Sequence, residues 1–477
     1  MLTWLIPAVL VINIALMAMM IFLERRSVSS TWAWVLVLAF LPIIGFALYL
    51  IFGRNLYKYK IFKWDEESYK ELNQIIETQK EEIEIGGYRY YNSVVKEYGD
   101  LAYLNLNHGE APITQNNKLD VFVNGKEKFN SLLHDIENAK SHIHLLYYVF
   151  RDDELGNLIC DALANKAKEG VKVRFLYDAY GSRNLSKRFK QKIISAGGDV
   201  EVFFPTKLFS IKINYRNHRK LAIIDGDIGY IGGFNVGNEY LGLDEEYGKW
   251  RDTHLRITGD AVDFIQTRFI LDWNQAAQHK LNIQDLKFKR KRHSDGVGIQ
   301  IVASGPDSKS EYIKNGYLKM ILSAKHYVYI QTPYFVPDQS ILDSLRIAAL
   351  SGVDVRIIIP NKPDQPFVYW AGLSYIGELL QAGVKVYTYE NGFVHSKTMV
   401  IDDKVATVGT ANFDMRSFRL NFEVNTFLYH SQVAKQLRSY YENDLDVSKE
   451  MTIEDYQKRR LCTKIKESIS RLLSPIL

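Results

Sequence analysis

The chain has 477 residues, 47% hydrophobic and 24% charged, with 60 basic against 55 acidic side chains for a net charge of +5. That length supports about three structural units and a large core, and a charge so near balance excludes a bulk nucleic-acid binder. Two cysteines, Cys160 and Cys462, exclude a disulfide framework and any multi-cysteine zinc module.

Residues 2–23 and 32–53 are two runs of 22 residues without an ionisable side chain. About 20 apolar residues span a bilayer, so residues 1–55 are expected to form a two-helix transmembrane hairpin turning at ERRSVSS, 24–30. No basic segment precedes the first run, which is also longer than a signal-peptide core. Arg54, Lys58, Lys60 and Lys63 follow the second run against Arg25 and Arg26 in the turn. That bias favours a multi-pass protein with its C-terminal part on the cytoplasmic side.

Residues 56–115 read as a helical connector, with Leu72, Ile75 and Ile76 at helical spacing among Glu, Lys and Gln. Short apolar runs then alternate with helical patterns, first VFVNG, HIHLLYYVF, KVRFLYD, VEVFFP and LAIID, later GIQIVAS, YVYIQTPYF, DVRIIIP, VKVYTY and TMVIDD. Strands alternating with helices predict an α/β fold on mixed or parallel sheets. The two series are a repeat: AKSHIHL at Ala139 matches AKHYVYI at Ala324, and GVKVRFL at Gly170 matches GVDVRII at Gly352. Two α/β halves, 116–295 and 296–446, are expected to face each other.

Three stretches carry charge of interest. The loop LFSIKINYRN, 208–217, before His218 mixes Leu208, Phe209 and Ile211 with Lys212 and Arg216, as a lipid-facing loop would. The run KFKRKRH, 287–293, suits either a solvated linker or a headgroup contact. In the tail 447–477, the stretch 458–473 sets Leu461, Ile465, Ile469 and Leu472 at helical spacing among six basic residues, which predicts a basic amphipathic helix on anionic lipid rather than one docked on the protein. His142 and His144 lack carboxylate or cysteine neighbours and read as a strand-entry pair, not a metal site.

Of eleven histidines, two have Lys at +2 and Asp at +7: His218, Lys220 and Asp225, and His395, Lys397 and Asp402. Both motifs continue to Gly at +14 (Gly232, Gly409) and Asn at +17 (Asn235, Asn412). In a strand, i and i+2 share a face, so each imidazole stands beside its own ammonium. DGD and DDK read as hairpin turns, and the following glycines as room for backbone to approach a ligand. Two such units face to face would surround one anion with two imidazoles, two ammonium groups and two Asn amides, a phosphodiester site.

The paired HxKxxxxD motifs resemble those of the phospholipase D superfamily. With PIIGFALYLIFGRN (42–55), WRDTHLRITG (250–259) and NFDMRSFRLNFEVN (412–425), the chain is similar to the bacterial cardiolipin synthases of that superfamily over nearly its whole length. The resemblance implies two duplicated phospholipase D-like α/β sandwich halves in pseudo-two-fold arrangement behind the transmembrane hairpin. It implies phosphatidyl transfer between two phosphatidylglycerol molecules, giving cardiolipin and glycerol through a phosphohistidine at a bacterial cell membrane. His218 would be the nucleophile and His395 the acid/base. Lys220, Lys397, Asn235 and Asn412 would hold the non-bridging oxygens, with no metal or cofactor. Glu423 and Asp252 match acids that in related enzymes orient the histidine of the opposite motif, Glu423 for His218 and Asp252 for His395. Asp225 and Asp402, at strand ends, suit fixing the motif better than exchanging protons. The expected partners are phosphatidylglycerol as donor and acceptor and anionic membrane lipid, without nucleic acid. The alternatives are another phospholipase D-type phosphatidyltransferase or hydrolase, a membrane-tethered nuclease, and a scaffold with a degenerate phosphate pocket.

Overall fold

The computed structural model describes residues 2–22, 28–52, 66–205, 214–282 and 296–474. Arg25 and Arg26 of the expected turn, Arg54, Lys58, Lys60 and Lys63, most of the loop 208–217 and the basic run 287–293 lie outside the described residues.

The first apolar run forms the helix Leu2–Phe22, and the second forms two helices, Val28–Phe40 and Pro42–Phe52. Among the described residues no helix is long and apolar enough to cross a membrane. Pro42 divides the second run because it has no N–H to give the carbonyl four residues back. That carbonyl, Leu38 O, instead accepts Asn13 Nδ2 at 3.1 Å, and the same amide nitrogen donates to Pro42 O at 2.9 Å. Met20, Leu38 and Tyr49 close around this contact, while Val11, Phe22 and Phe40 are exposed.

The first half contributes β1 (Asn117–Phe122), β2 (His142–Tyr147), β3 (Lys172–Asp178), β4 (Asp199–Phe203), β5 (Arg216–Asn217), β6 (Leu221–Ile224), β7 (Ile228–Gly232), β8 (Trp250–Arg251) and β9 (His254–Gly259). The second contributes β10 (Gly298–Ser304), β11 (Tyr327–Gln331), β12 (Phe335–Val336), β13 (Asp354–Pro360), β14 (Lys385–Tyr389), β15 (Phe393–Val394), β16 (Thr398–Ile401), β17 (Val405–Gly409), β18 (Phe413–Asp414), β19 (Asn421–Tyr429) and β20 (Ser448–Met451). The sheet orders are β1-β9-β7-β6-β2-β3-β4 and β10-β19-β17-β16-β11-β13-β14-β20. Position for position the second repeats the first and adds β20 at its edge. Both sheets are mixed: β2, β3 and β4 run parallel, as do β11, β13 and β14, and the other ladders along these two orders are antiparallel, while β5 adds in parallel to the start of β19.

Alternation along each strand divides its side chains between two cores. Leu221 and Ile223 pack inward with Ile301, Val400 and Val408 of the other half, around the helices Ala261–Ala276 and Ser431–Leu445. Ala222 and Ile224 point outward under Gly125–Glu137 and Glu154–Lys168. In the second sheet Met399, Ile401 and Val405 face an outer layer formed by Tyr312–Ser323, Gln339–Leu350 and Pro366–Gln381. The inner core therefore belongs to both halves at once.

Two segments sit differently from their simplest reading. The short helices Ser93–Glu97 and Gly99–Asn107 are built onto the second half: Gln300 Nε2 donates to Ala102 O and Ala111 O, and Asn92 Nδ2 to Gly296 O and Tyr429 O. The C-terminal helix Leu461–Leu472 is docked on Pro366–Gln381, yet it turns its polar side to the protein.

Candidate active site

Each HxK motif starts where its strand pairs with the opposite half. β5 runs parallel to the start of β19, and His218 N–H donates to Phe422 O at 2.9 Å. β15 runs parallel to β8, and His395 N–H donates to Arg251 O at 2.7 Å. One residue beyond each pairing stands a fully buried acid. His218 Nδ1 lies 2.9 and 3.0 Å from the two Glu423 carboxylate oxygens, and His395 Nδ1 lies 2.6 Å from Asp252 Oδ2. Each acid pairs with Nδ1, where Lys397 Nζ also stands 2.9 Å from His395, so Nε2 is the nitrogen of each ring not held by a carboxylate. Glu423 also accepts from Asn421 Nδ2, and Asp252 from the Thr253 N–H.

Lys220 and Lys397 are fully buried and each donates to the carbonyl of its own histidine. Each ammonium also reaches the other half's imidazole electrostatically, so the two motifs act on each other across the halves. Burial pulls the lysines down, Lys220 to about 7 and Lys397 to about 8, against the opposing charges of Glu423 and Asp252. Burial and the lysines push His218 down to about 4 and His395 to about 3, so both imidazoles are neutral in the free site. Burial raises the Glu423 carboxyl, but His218 and Lys220 outweigh it and the net direction is down.

The remaining expected residues divide into two groups. Asn235 and Asn412 are buried beside the motifs but already engaged: Asn235 Nδ2 donates to Tyr240 Oη at 2.9 Å, and Asn412 Nδ2 to Asp414 Oδ2 at 3.1 Å. Asp225 and Asp402 lie at the far ends of the β6–β7 and β16–β17 hairpins with φ of 54° and 52°. Asp225 accepts the backbone N–H of Lys140, Ser141 and His142, and Asp402 those of Lys325, His326 and Tyr327. Each carboxylate thus ties its turn to the start of the neighbouring strand, away from the imidazoles. The room left by glycine also serves the protein rather than a ligand: a Cβ at Gly233 would stand 1.9 Å from Asp252 Oδ1, and one at Gly409 2.3 Å from the Asn425 side chain. His142 Nε2 pairs with Gln266 and His144 Nε2 with Arg174, and no group of metal ligands occurs among the described residues.

Several supports escape motif reading. Arg219, between His218 and Lys220, holds Asp272 at 2.6 and 2.7 Å and donates to Glu423 O at 3.1 Å. Arg251, beside Asp252, pairs with Asp444 at 2.8 Å. Both aspartates come from the last helix of their half; the first pair lies within the first half and the second joins the two halves. Tyr148 stands edge-on to His218 with ring centroids 4.8 Å apart, and Trp250 flanks His395 at 5.4 Å.

Two family models match. One, described as cardiolipin synthase, PLD-like domain, covers residues 132–273 and 317–445. The other, phospholipase D-nuclease N-terminal, covers 9–54. The chain is 55% identical over 470 residues to the major cardiolipin synthase ClsA of Bacillus subtilis (strain 168), covering 98% of each chain. It is 54% identical over 468 residues to a cardiolipin synthase of Oceanobacillus iheyensis, again covering 98% of each. Among solved structures its fold is similar to a phosphatidylserine synthase of Haemophilus influenzae Rd KW20, with TM-score 0.60, 15% identity and coverage of 79% of this chain and 100% of that one.

Proposed function

The chain belongs to the cardiolipin synthase family of phospholipase D-like phosphatidyltransferases, and from that premise we propose that it joins two phosphatidylglycerol molecules into cardiolipin and glycerol through a phosphohistidine. The observation that carries this reading is the reciprocal pair of buried imidazoles, each with Nδ1 paired to a carboxylate of the other half.

In the first step His218 Nε2 attacks phosphorus, the bond from phosphorus to the glycerol oxygen breaks, and that oxygen takes a proton from His395. In the second step the hydroxyl of another phosphatidylglycerol gives its proton to His395 and attacks phosphorus, and the P–N bond breaks. One histidine must be neutral and the other protonated. Burial and two lysines favour neutrality in the free site; a bound phosphodiester anion offsets the lysines and lets one imidazole take the proton. Lys220 and Lys397 hold the non-bridging oxygens, and the second amide hydrogen of Asn235 and of Asn412 is left to assist them. Glu423 and Asp252 fix the ring orientation and stabilise the imidazolium as it forms.

The N-terminal helices are proposed to hold the enzyme in the bacterial cell membrane, with the catalytic part on the cytoplasmic side. Two ion-free runs, exposed apolar side chains and the Asn13 bridge that satisfies a carbonyl freed by Pro42 support that assignment.

The test is turnover of labelled phosphatidylglycerol by the purified full chain, in detergent and in vesicles, with chelator present. Cardiolipin and glycerol are expected. Phosphatidic acid alone would assign a hydrolase, and activity that a chelator removes would overturn the metal-free mechanism.

A further inference from the structure

An amphipathic helix on a protein surface ordinarily buries its apolar stripe and shows water its charges. The helix Leu461–Leu472 does the reverse. Glu467 and Ser470 are its buried residues, and Glu467 is covered by Arg459 at 2.7 Å. Arg471 pairs with Glu378 at 3.0 Å and lies over the Tyr375 ring, Lys466 lies over Trp370, and Ser474 Oγ meets Tyr375 Oη at 3.1 Å. The apolar residues point away: Leu461 is 74% exposed, Ile465 50%, Ile469 55% and Leu472 80%. At intervals of four, four and three residues they form one continuous stripe.

We propose that this outward stripe is a built-in contact surface for an anionic phospholipid bilayer. The helix is held by its polar side to the second half, so its apolar side is presented at a fixed orientation. The only acid of the helix is turned inward, while Lys464 is exposed beside Ile465 on the helix and Lys458 and Arg460 are exposed just ahead of its first turn. An apolar strip beside cations matches a surface with acyl chains beneath a layer of negative headgroups. A second copy of the chain is a poorer occupant, because two-fold pairing of the strip would set its neighbouring cations against themselves. The proposal builds on the membrane reading above and adds a second attachment, at the opposite end of the chain from the N-terminal helices.

The molecule carries its own probe site. Cys462 is exposed on this helix and Cys160 is buried, so Cys160→Ser leaves one thiol for an environment-sensitive fluorophore. The labelled full chain is reconstituted into vesicles of phosphatidylcholine alone or mixed equally with phosphatidylglycerol. The expected result is a blue-shifted emission, quenched at least twofold by lipid-borne quenchers, in the anionic vesicles only. Replacing Leu461, Ile465, Ile469 and Leu472 together by Ser should abolish the shift in a protein whose circular dichroism is unchanged. Water-like emission in anionic vesicles overturns the proposal, and an equal shift in neutral vesicles overturns its anionic part. A shift that follows protein concentration without lipid assigns the stripe to a second copy instead. The fluorescence does not depend on turnover, so its failure is separable from a failure to form cardiolipin.

Discussion

Burial acts in opposite directions on the chemistry of the four titrating groups. It keeps His218 and His395 neutral far below the usual imidazole range, and it brings Lys220 and Lys397 down to where they lose their protons near neutrality. A neutral amine cannot balance a phosphate oxygen, so kcat/KM for phosphatidylglycerol is expected to fall as pH rises past about 7, where Lys220 loses its proton first. Lys220→Arg keeps its charge, and its alkaline limb should move upward whatever its absolute rate; an unmoved limb would remove Lys220 from the assignment. The two histidines are separable with an aryl phosphodiester, whose leaving group needs no acid. His395→Ala should still release a burst of aryl alcohol and retain phosphate on the protein, whereas His218→Ala should release none. The opposite pattern would exchange their roles. Gly233→Ala should disturb His395 indirectly, because the added methyl displaces the Asp252 carboxylate. A loss of about 100-fold in kcat with little change in KM is expected, and a KM effect alone would argue against it.

At the scale of elements, the two hairpins are anchored from outside the site. Each of Asp225 and Asp402 accepts three backbone N–H groups, and removing one such cage should lower stability by about 3 kcal/mol. Asp402→Ala should therefore unfold at lower denaturant, with the shape of its pH–rate profile retained; a changed profile would put the carboxylate in the chemistry. These hairpins were the most legible part of the fold, because HxK, the turn residues and the returning Gly and Asn lie within 18 residues of one another. Glu423 and Asp252, by contrast, are 205 and 143 residues from their histidines, and only family resemblance pointed to them. Nothing local marks Arg219–Asp272 or Arg251–Asp444, since a lone Arg and a helical Asp are ordinary surface residues until the halves close. The C-terminal helix is a different case. Periodicity gives an apolar side but not the direction in which it points, and the docked helix points it outward because Glu467 has Arg459 above it.

Across the whole molecule, the inner core and the site are both common property. Leu221, Ile223 and Leu255 of the first half pack with Ile301, Val408 and Val424 of the second, so neither sheet has a complete inner face alone. The exchange of β5 onto β19 and β15 onto β8 adds a stricter dependence, because each histidine takes its orienting acid from the other half. A half expressed alone would expose an apolar sheet and carry an imidazole without its carboxylate. Cutting the chain within residues 283–295 and expressing both pieces together should restore activity, while either piece alone should have none. Two pieces that fail together but fold apart would mean that the link is more than a tether. The same strand exchange leaves the two histidines unequal: the repeats share one connectivity, yet His218 stands against the Tyr148 ring and His395 against the Trp250 ring, so a symmetric scaffold gives its two imidazoles different neighbours.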